Sequence, residues 1–340
     1  MLRTPLRHSP WLSRAARAEV FLKLENLQPT HSYKIRGATN ALLKLAASAG
    51  AHPPPIVTAS AGNHGRAMAH AAAAAGLHLT VYVPEGAPKT KIDAIREAGA
   101  ELRLCADYDE AERRAKADGA RGAGVFISPY AHPDVIAGAG TVALEILEDF
   151  PAVETIVAAI GGGGLVSGMA LAGHSRNAGH RRSTEETQGH SSNTGHRRNT
   201  EETQARGKQE TEGEGVEIAG VEVEASTPFT SSLKAGRIVE IEVGDTLADG
   251  LSGNLDPDSP TFALVRDRVT RIAVVSESEL IEAIRGVARY EKLIIEGAAA
   301  AAVAAVASGK LDLRGKRVAI VLSGANIDLQ RLNWVLKTGC

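Results

Sequence analysis

Short runs of β-branched and other apolar residues alternate along the chain with longer runs that have helical periodicity. The strand candidates are Val20–Leu24, Ile56–Ala59, Thr80–Val83, Glu101–Leu104, Thr155–Ile160, Glu217–Val223 and Arg317–Leu322. The helix candidates are Lys34–Ala49, Gly65–Ala75, Pro88–Glu97, Val135–Glu148, Leu165–Ala172, Ser276–Glu291 and Gly297–Ser308. Strands that alternate with helices of this length predict an α/β fold with parallel sheets covered on both faces. Ligands are expected where strands lead into helices, because that edge of an open α/β sheet carries the binding crevice.

Residues 173–204 interrupt this pattern. The sequence GHSRNAGHRRSTEETQ at 173–188 is followed by GHSSNTGHRRNTEETQ at 189–204, a tandem repeat with 13 identical positions out of 16. The repeat lacks large apolar residues, so it cannot bury enough surface to offset the entropy lost on ordering. We therefore expect a flexible insertion over 173–215, and deletion of 174–214 should leave turnover nearly unchanged. A metal site is the alternative for its four histidines, but a solvated linker is favoured because nothing pre-organises His174, His180, His190 and His196.

Composition and charge exclude several classes of protein. The chain has 340 residues, 44% of them hydrophobic and only 4% aromatic, as in a globular protein that packs helices with small side chains. A formal net charge of −2 provides no basic field for nucleic acid or an anionic membrane. The longest apolar run, over 298–307, is about half the length that a membrane-spanning helix needs. With 2 cysteines and no signal-peptide core at the N-terminus, we expect a soluble cytoplasmic protein.

Four consecutive glycines form the clearest candidate anion site: Gly161, Gly162, Gly163 and Gly164. They lie between the apolar strand TIVAAI and the predicted helix LVSGMALA. Backbone N–H groups of such a turn can approach a phosphate closely, and the helix adds its positive end. A plain tight turn is the alternative, although four glycines lose much entropy on folding. The spacing matches neither the dinucleotide fingerprint nor the Walker loop.

A second candidate site lies between the strand IVTA and a predicted helix, and consists of Ser60, Ala61, Gly62, Asn63 and His64. N–H groups at a helix start can bind a carboxylate, and an amide side chain can bind a hydroxyl. An ordinary helix cap at Asn63 explains the same residues. Taken alone, this segment leaves both interpretations open.

Lys34 and Ser323 are two further candidates. Lys34 stands where a loop meets a predicted helix, a position where a lysine is usually solvated. Catalysis through a Schiff base would need a lowered pKa, which burial and nearby cationic or dipolar groups can supply. Ser323 follows the strand VAIVL, which would place its hydroxyl at the tip of a buried strand.

Taken in order, these motifs resemble those of the fold-type II enzymes that depend on pyridoxal 5'-phosphate (PLP), specifically the threonine/serine dehydratase and serine racemase group. LKLENLQPTHSYKIRGA resembles the cofactor-lysine segment of the family, SAGNHG its asparagine loop, GGGGLVSG its phosphate loop and LSGAN its C-terminal serine motif. TPL at Thr4–Leu6, HPDVIAGAGT at His132–Thr141 and TLADGL at Thr246–Leu251 also match. The resemblance covers almost the whole chain except about 173–215.

The resemblance implies a fold similar to that of the tryptophan synthase β subunit. This fold has two open, twisted, mostly parallel sheets with helices on both faces. The large PLP-binding domain would comprise 1–54 and 133–340, and the small domain would comprise 55–132. The resemblance further implies a small amino acid as the substrate and a homodimer as the assembly.

The resemblance also implies a role for each motif residue. Lys34 would link covalently to PLP, Asn63 would hydrogen-bond the 3-hydroxyl of its ring, and Ser323 would face the pyridine nitrogen. The phosphate would be wrapped by Gly161, Gly162, Gly163 and Gly164. The substrate carboxylate would be bound by Ser60, Ala61, Gly62, Asn63 and His64. Gly250 and Glu296 match positions near the cofactor.

The implied activity is removal of water and ammonia from L-threonine or L-serine, which gives 2-oxobutyrate or pyruvate. Lys34 would take the α-proton as general base. Serine racemases carry a serine immediately before Gly-Asn-His, where this chain has Ala61, and a glutamate at the position of His132. Both departures favour elimination over racemisation. The sequence IRG at 35–37 also favours a dehydratase over sulfhydrylases and threonine synthases.

Metal-binding members of the family use a glutamate after a strand of the GVE type and an aspartate six residues later. Glu222 matches the first position, but Pro228 occupies the second. We therefore predict no metal at this site and expect Glu222 to be an exposed carboxylate at a strand end. The chain also ends too soon after Asn326 for the regulatory domain of biosynthetic threonine dehydratases, so feedback inhibition by isoleucine is not expected.

Several alternatives stay open at this point. A dehydratase for another β-hydroxy amino acid, such as 3-hydroxyaspartate or a phenylserine, or a serine racemase would carry similar motifs. A non-catalytic homologue is disfavoured because Lys34, the glycines and Ser323 are all present. A nucleotide-binding protein would need an acidic ribose contact about 20 residues after the glycines, where this chain has the polar repeat.

Overall fold

The computed structural model describes residues 1–50, 52–174 and 215–337. Its strands are β1 Leu6–His8, β2 Glu19–Lys23, β3 Ile56–Ala59, β4 Leu79–Pro84, β5 Glu101–Cys105, β6 Val125–Phe126, β7 Thr155–Ala159, β8 Glu217–Val223, β9 Arg271–Val275 and β10 Arg317–Val321. Its α-helices are α1 Pro10–Ala16, α2 Lys34–Ala49, α3 Asn63–Ala75, α4 Lys89–Glu97, α5 Tyr108–Ala120, α6 Pro133–Asp149, α7 164–174, α8 Pro228–Ala235, α9 Pro260–Arg268, α10 Glu277–Gly286, α11 Gly297–Ala307 and α12 Leu329–Lys337. Every predicted strand is present within one residue at each end.

The strands form two sheets. The larger sheet has six strands in the order β1-β2-β10-β7-β8-β9, all parallel except β1, which pairs antiparallel with β2. The smaller sheet has four parallel strands in the order β5-β4-β3-β6. Strands β3 and β7 are buried along their whole length, as continuous apolar runs in a parallel sheet require. The predicted α/β fold with two mostly parallel sheets is confirmed.

Helix α11 forms the centre of the larger lobe, which is the part of the molecule built on the six-stranded sheet, while the smaller lobe is built on the four-stranded sheet. Its alanines are buried in one cluster with the strands β7, β8, β9 and β10, and their small side chains let the helix lie close to the sheet. A Cβ on Gly297 would lie 2.2 Å from the carbonyl oxygen of Leu247, so the start of the helix is fixed against that segment. Although α11 is apolar throughout, no helix in the described residues is long and apolar enough to cross a membrane.

Helix α2 shares its core with the smaller sheet. Ile35 and Leu42 are buried in one cluster with residues of α3 and of β3 and β4. Helix α2 also crosses α6 at Gly37 and Gly138, where a Cβ on Gly138 would lie 2.5 Å from the carbonyl oxygen of Arg36. The division of the chain at 54 and 133 stays a prediction, and the shared core ties α2 to the smaller sheet.

The predicted helix Ser276–Glu291 consists of two parts. Its first part is α10, where the Ser276 side chain and the Glu279 side chain form a capping box. A π-helical turn over Val287–Glu291 follows, and Lys292 ends it with a left-handed φ of 57°. The predicted helices therefore agree with the structure within two residues at each end except here, where the hydrogen-bond pattern changes.

The residues on either side of the predicted insertion lie next to each other. The predicted start of the insertion at 173 is wrong by two residues, because helix α7 continues to 174, and strand β8 follows the insertion. A Cβ on Gly173 would lie 2.7 Å from Cγ1 of Val216. Since most of the repeat falls outside the described residues, its flexibility stays a prediction.

Candidate active site

Backbone pairing places Lys34, the first residue of α2, beside Ser323. The N–H of Tyr33 donates to the carbonyl oxygen of Ser323 at 3.0 Å, and Ser32 forms a β-bridge with Gly324. Ser323 comes shortly after β10 and is buried. Two motifs that are far apart in the sequence therefore meet at the carboxyl edge of the larger sheet.

The amine of Lys34 is held in a desolvated position. Its Nζ donates to the carbonyl oxygen of Pro129 at 2.7 Å. Burial lowers the pKa of Lys34 to about 8, and the nearby charge of Glu296 acts in the opposite direction. A lysine with this pKa is largely neutral at mildly alkaline pH, and a neutral amine is the form that attacks an aldehyde.

The side chain of Asn63 joins the start of α3 to the larger lobe. Its Nδ2 donates to Oε1 of Glu296 at 2.7 Å, and its Oδ1 accepts from Nδ2 of Asn326 at 2.6 Å. The backbone N–H of Asn326 donates to the other carboxylate oxygen of Glu296 at 3.1 Å. Since α3 has no side-chain cap bond, the structure does not support the alternative in which Asn63 is an ordinary helix cap.

Glu296 lies between the asparagine loop and the serine motif. It is the residue immediately before α11 and is 5% exposed. Burial raises its pKa to about 7, and the charge of Asp249 acts in the same direction. A Cβ on Gly324 would lie 2.4 Å from Oε1 of Glu296, so a larger residue in the serine motif would displace the carboxylate.

The loop from Ser60 to His64 has one exposed side and one buried side. The Oγ of Ser60 accepts from the N–H of Gly62 at 3.2 Å. The ring of His64 is 2% exposed and its Nε2 lies 3.1 Å from Oγ1 of Thr58 inside the smaller lobe. Burial lowers the pKa of His64 to about 3, so the ring is neutral. A contact from His64 to a substrate would therefore come from its backbone.

The four glycines connect β7 to α7, as predicted, and aromatic rings pack against them. A Cβ on Gly162 would lie 2.3 Å from Cγ of Tyr130, and one on Gly163 would lie 2.6 Å from Cζ of Phe229. Gly163 has a φ of 83°, which side chains rarely adopt. Neither position has room for a side chain, and this explains the glycines better than a plain turn does. Because glycine has no Cβ, the N–H groups at the start of α7 are also not covered by Cβ atoms.

Two residues of the site, Pro129 and Tyr130, escaped the sequence analysis. They lie between β6 and α6, and together they connect the Lys34 amine to the glycine loop. The hydroxyl of Tyr130 also accepts from the N–H of Asp256 at 3.3 Å. The available signal was an aromatic residue two positions before His132, whose Nδ1 accepts from the first turn of α6 as a helix cap.

The prediction that Glu222 is an exposed carboxylate is wrong, because the side chain is fully buried. Its oxygens accept from the N–H groups of Phe229 at 2.7 Å and Thr230 at 2.9 Å, at the start of α8. The physical reason is that the first N–H groups of a helix lack partners within the helix, and a carboxylate satisfies them. Burial raises the pKa of Glu222.

Metal ligands do not cluster in the part of the chain that the structure describes: no group of three or more His, Cys, Asp or Glu side chains could hold an ion there. His180, His190 and His196 of the repeat lie outside the described residues. The remaining histidine of the repeat, His174, has its Nδ1 at 2.8 Å from the carbonyl oxygen of Ala170. The hypothesis of a metal site in the repeat is therefore untested.

The chain belongs to the family described as pyridoxal-phosphate-dependent enzymes, whose model matches residues 1–324. It is 37% identical to the L-threonine ammonia-lyase of Thermotoga maritima, over 99% of this chain and 74% of the relative. It is 33% identical to the catabolic L-threonine dehydratase of Escherichia coli, over 98% of this chain and 90% of the relative. Among solved structures, the processed form of threonine deaminase isoform 2 from Solanum lycopersicum has a TM-score of 0.79 at 26% identity, with 100% of this chain and 89% of that chain covered. Maize serine racemase has a TM-score of 0.81 at 28% identity, with coverages of 97% and 90%.

The side chains at the site fit the cofactor of this family. The aldehyde of PLP suits the desolvated amine of Lys34, and its phosphate suits a loop that presents N–H groups at the start of α7. Asn63 brings an amide and Ser323 a hydroxyl into the same group of contacts. The predicted use of PLP is confirmed by the family.

Proposed function

We propose that the chain is a PLP-dependent ammonia-lyase that converts L-threonine, L-serine or both to 2-oxobutyrate or pyruvate and ammonia. One observation carries the proposal: an unbroken series of contacts starts at Lys34 and runs in two directions. One direction passes through Pro129 and Tyr130 to the glycine loop. The other passes through the serine motif to Glu296 and Asn63. The series unites an amine, an amide and an N–H-rich loop, which suit the aldehyde, phenolic hydroxyl and phosphate of the cofactor.

The roles of the cofactor residues follow from their chemistry. Lys34 would hold PLP covalently, Asn63 would bind the ring hydroxyl, and Ser323 would contact the ring nitrogen. The phosphate would be bound by Gly161, Gly162, Gly163 and Gly164. When bound, the cofactor supplies an electron sink for the α-carbon of the substrate. A serine hydroxyl cannot hold a ring nitrogen protonated as a carboxylate does, and this favours prompt loss of the β-hydroxyl.

The roles of the substrate residues follow from the position of their loop at the start of α3. The substrate carboxylate would be bound by the residues that lead into the positive end of this helix, namely Ser60, Ala61, Gly62, Asn63 and His64. Lys34, once displaced from the cofactor, would take the α-proton. Ala61 has no proton to return from the opposite face of the substrate, which favours elimination over racemisation.

The experiment that tests the proposal measures 2-oxo acid release by the purified, PLP-loaded protein. L-threonine, L-serine, D-serine and 3-hydroxyaspartate are supplied in parallel. Lys34→Ala should abolish release, whereas Lys44→Ala, which removes an exposed lysine of the same helix, should not. If protein that retains the visible absorption band of bound cofactor released no 2-oxo acid from L-threonine or L-serine, the proposal would be contradicted. Release from 3-hydroxyaspartate alone would favour the second candidate, a lyase for that substrate.

We also propose that the enzyme acts in the cytoplasm as a homodimer. Cys105 is a free, buried thiol, which suits a reducing compartment. Tyr290 and Leu336 are exposed and line one groove on the larger lobe, which provides an apolar surface for a second copy. Light scattering on the eluting protein measures the assembly directly, and a mass of one chain at micromolar concentration would contradict the dimer.

A further inference from the structure

A fully buried guanidinium lies two residues beyond the cofactor lysine. The side chain of Arg36 forms a two-pronged pair with Glu25, with Nε to Oε2 at 2.7 Å and Nη2 to Oε1 at 2.8 Å. It forms a second such pair with Glu145, with Nη1 to Oε1 at 2.7 Å and Nη2 to Oε2 at 2.8 Å. Both Arg36 and Glu25 have no exposed side-chain surface. One arginine therefore joins two carboxylates from separate elements.

The cluster around Arg36 is electrically balanced. Lys23, also without exposed side-chain surface, pairs with Glu145 at 2.7 Å and donates to the carbonyl oxygen of Thr4 at 2.6 Å. The hydroxyl of Thr4 donates to Glu25. Two cations thus face two carboxylates at hydrogen-bond distance, and the carboxylate of Asp149 lies further off, 3.9 Å from Nζ of Lys23. Such clusters contribute little net stability, because desolvation offsets the attraction, but breaking one partner is costly and they can select a single register.

The cluster joins the elements that meet at the site. Arg36 is on α2, which begins with Lys34, and Glu145 is on α6, which begins just after the segment that contains Pro129. The two helices cross closely at Gly37 and Gly138, and the side chain of Val135 from α6 packs against Gly37. The register of α2 against α6 is therefore fixed by the buried bonds of Arg36 to Glu145 and Thr141, together with the packing of Val135.

Thr141 strengthens the same connection. Its Oγ1 accepts from Nη1 of Arg36 at 3.1 Å and donates to the carbonyl oxygen of Gly138 at 2.7 Å. The guanidinium is thus bonded to the part of α6 that faces the close helix crossing. A shift of one helix along the other would break bonds at Glu145 and Thr141 together.

We propose that Arg36 is a positioning residue that fixes the register of α2 against α6 and so holds the Lys34 amine at the Pro129 carbonyl. Arg36 is not itself a catalytic residue, because its bonds go to the buried cluster. The charged and titratable groups that face Lys34 itself are Glu296, His64 and Tyr33. Arg36 acts on Lys34 through the geometry of the two helices. The inference rests on the proposed role of Lys34, but not on the identity of the substrate.

The test is Arg36→Lys, which keeps the charge but cannot bridge four carboxylate oxygens. Two properties are measured on purified protein: the pH midpoint for covalent attachment of PLP at Lys34, trapped with borohydride and located by peptide mass, and kcat and KM for the preferred substrate. We expect a shifted midpoint and a kcat lowered about 10- to 100-fold with KM within about threefold, since small misplacements of a reacting group have effects of this size. The attachment assay needs no substrate, so it separates failure of this inference from failure of the proposed activity.

Two further variants keep the test decisive if Arg36→Lys does not fold. Thr141→Val is nearly isosteric and should move both properties in the same direction by a smaller factor. Arg314→Lys is the matched control, because Arg314 is exposed and pairs with Asp312 at the surface, away from the cluster. It should leave both properties unchanged. A wild-type attachment midpoint and kcat in Arg36→Lys and Thr141→Val, with only the melting temperature lowered, would show that the cluster is merely structural and would overturn the inference.

Discussion

The amine of Lys34 donates a hydrogen bond of 2.7 Å to the carbonyl oxygen of Pro129, and it does so in a position shielded from water. A carbonyl oxygen accepts more strongly from the charged amine than from the neutral one, so burial lowers the pKa of Lys34 in spite of this bond. The result is a lysine that loses its proton more readily than one at the surface.

We therefore expect PLP attachment to the cofactor-free protein to accelerate with pH around a midpoint near 8. The pKa of Lys34 is lowered to about 8 by burial, so the amine is protonated and unreactive below that pH and neutral above it. The appearance of the visible absorption band after mixing with PLP, followed by stopped flow, measures the rate. A midpoint near the value of about 10.4 for a solvated lysine would contradict the expectation.

Gly162→Ala should weaken cofactor binding at least about tenfold and destabilise the fold by about 1–3 kcal/mol, the usual cost of overpacking. The added Cβ would lie 2.3 Å from Cγ of Tyr130, so the ring or the loop must move. Absorbance titration with PLP measures the binding, and denaturant unfolding measures the stability. Gly86→Ala, where the added Cβ meets open space, is the control. Equal PLP affinity in Gly162→Ala and wild type would show that the fit of Tyr130 on the loop is unimportant.

Glu222→Gln should lower the free energy of unfolding by about 1–3 kcal/mol, because the amide cannot accept from both N–H groups that the carboxylate satisfies. Burial raises the pKa of Glu222, so the folded protein holds this proton more tightly than the unfolded chain. The stability that the carboxyl contributes is therefore greatest at low pH and falls as the pH rises through the raised pKa. The deficit of the variant should accordingly shrink as the pH rises.

Urea unfolding of wild type, Glu222→Gln and Glu224→Gln at several pH values checks this expectation. Glu224 is exposed two residues further along and should tolerate the same change. An equal, small effect of both substitutions would indicate that the buried carboxylate does not cap α8.

Replacing residues 174–214 by a short Gly-Ser turn should leave kcat and KM nearly unchanged. The flanking residues already meet, since a Cβ on Gly173 would lie 2.7 Å from Val216, and shortening a surface loop changes its closure entropy only slightly. Steady-state kinetics measure kcat and KM, and a melting curve measures stability. A chain with a scrambled repeat of the same composition is the control. A large loss of turnover at an unchanged melting temperature would assign the insertion a role in function.

The sheets and the main motifs were predictable because their signals are local. Strands such as Ile56–Ala59 are mostly apolar and buried at every position, and they lead into turns of glycine and small polar residues. The starting points of α2 at Lys34 and α3 at Asn63 lie within two residues of the starts that the helical pattern predicted. Several elements escaped prediction: β6 has two residues, β1 is an edge strand without an apolar pattern, and the five-residue strand β9 and the 13-residue helix α5 were missed as well.

The unpredictable features depend on contacts between distant parts of the chain. Nothing near Pro129 indicates that its carbonyl oxygen will meet Lys34, and nothing near Glu222 indicates that α8 will start over it. A phosphate site or a plain turn was the expected reason for the four glycines, whereas the space beside Gly162 and Gly163 is also filled by the rings of Tyr130 and Phe229. The pattern of residues along a sequence does not indicate which aromatic ring will pack against which segment of backbone.

The closeness of Gly173 and Val216 also has a practical consequence. A segment whose two ends lie at neighbouring points of the fold can be replaced by another sequence without changing the path of the rest of the chain. A fluorescent protein or affinity module whose own termini are adjacent could be grafted there in place of the repeat. The graft would mark the enzyme at a point on the larger lobe, between α7 and β8.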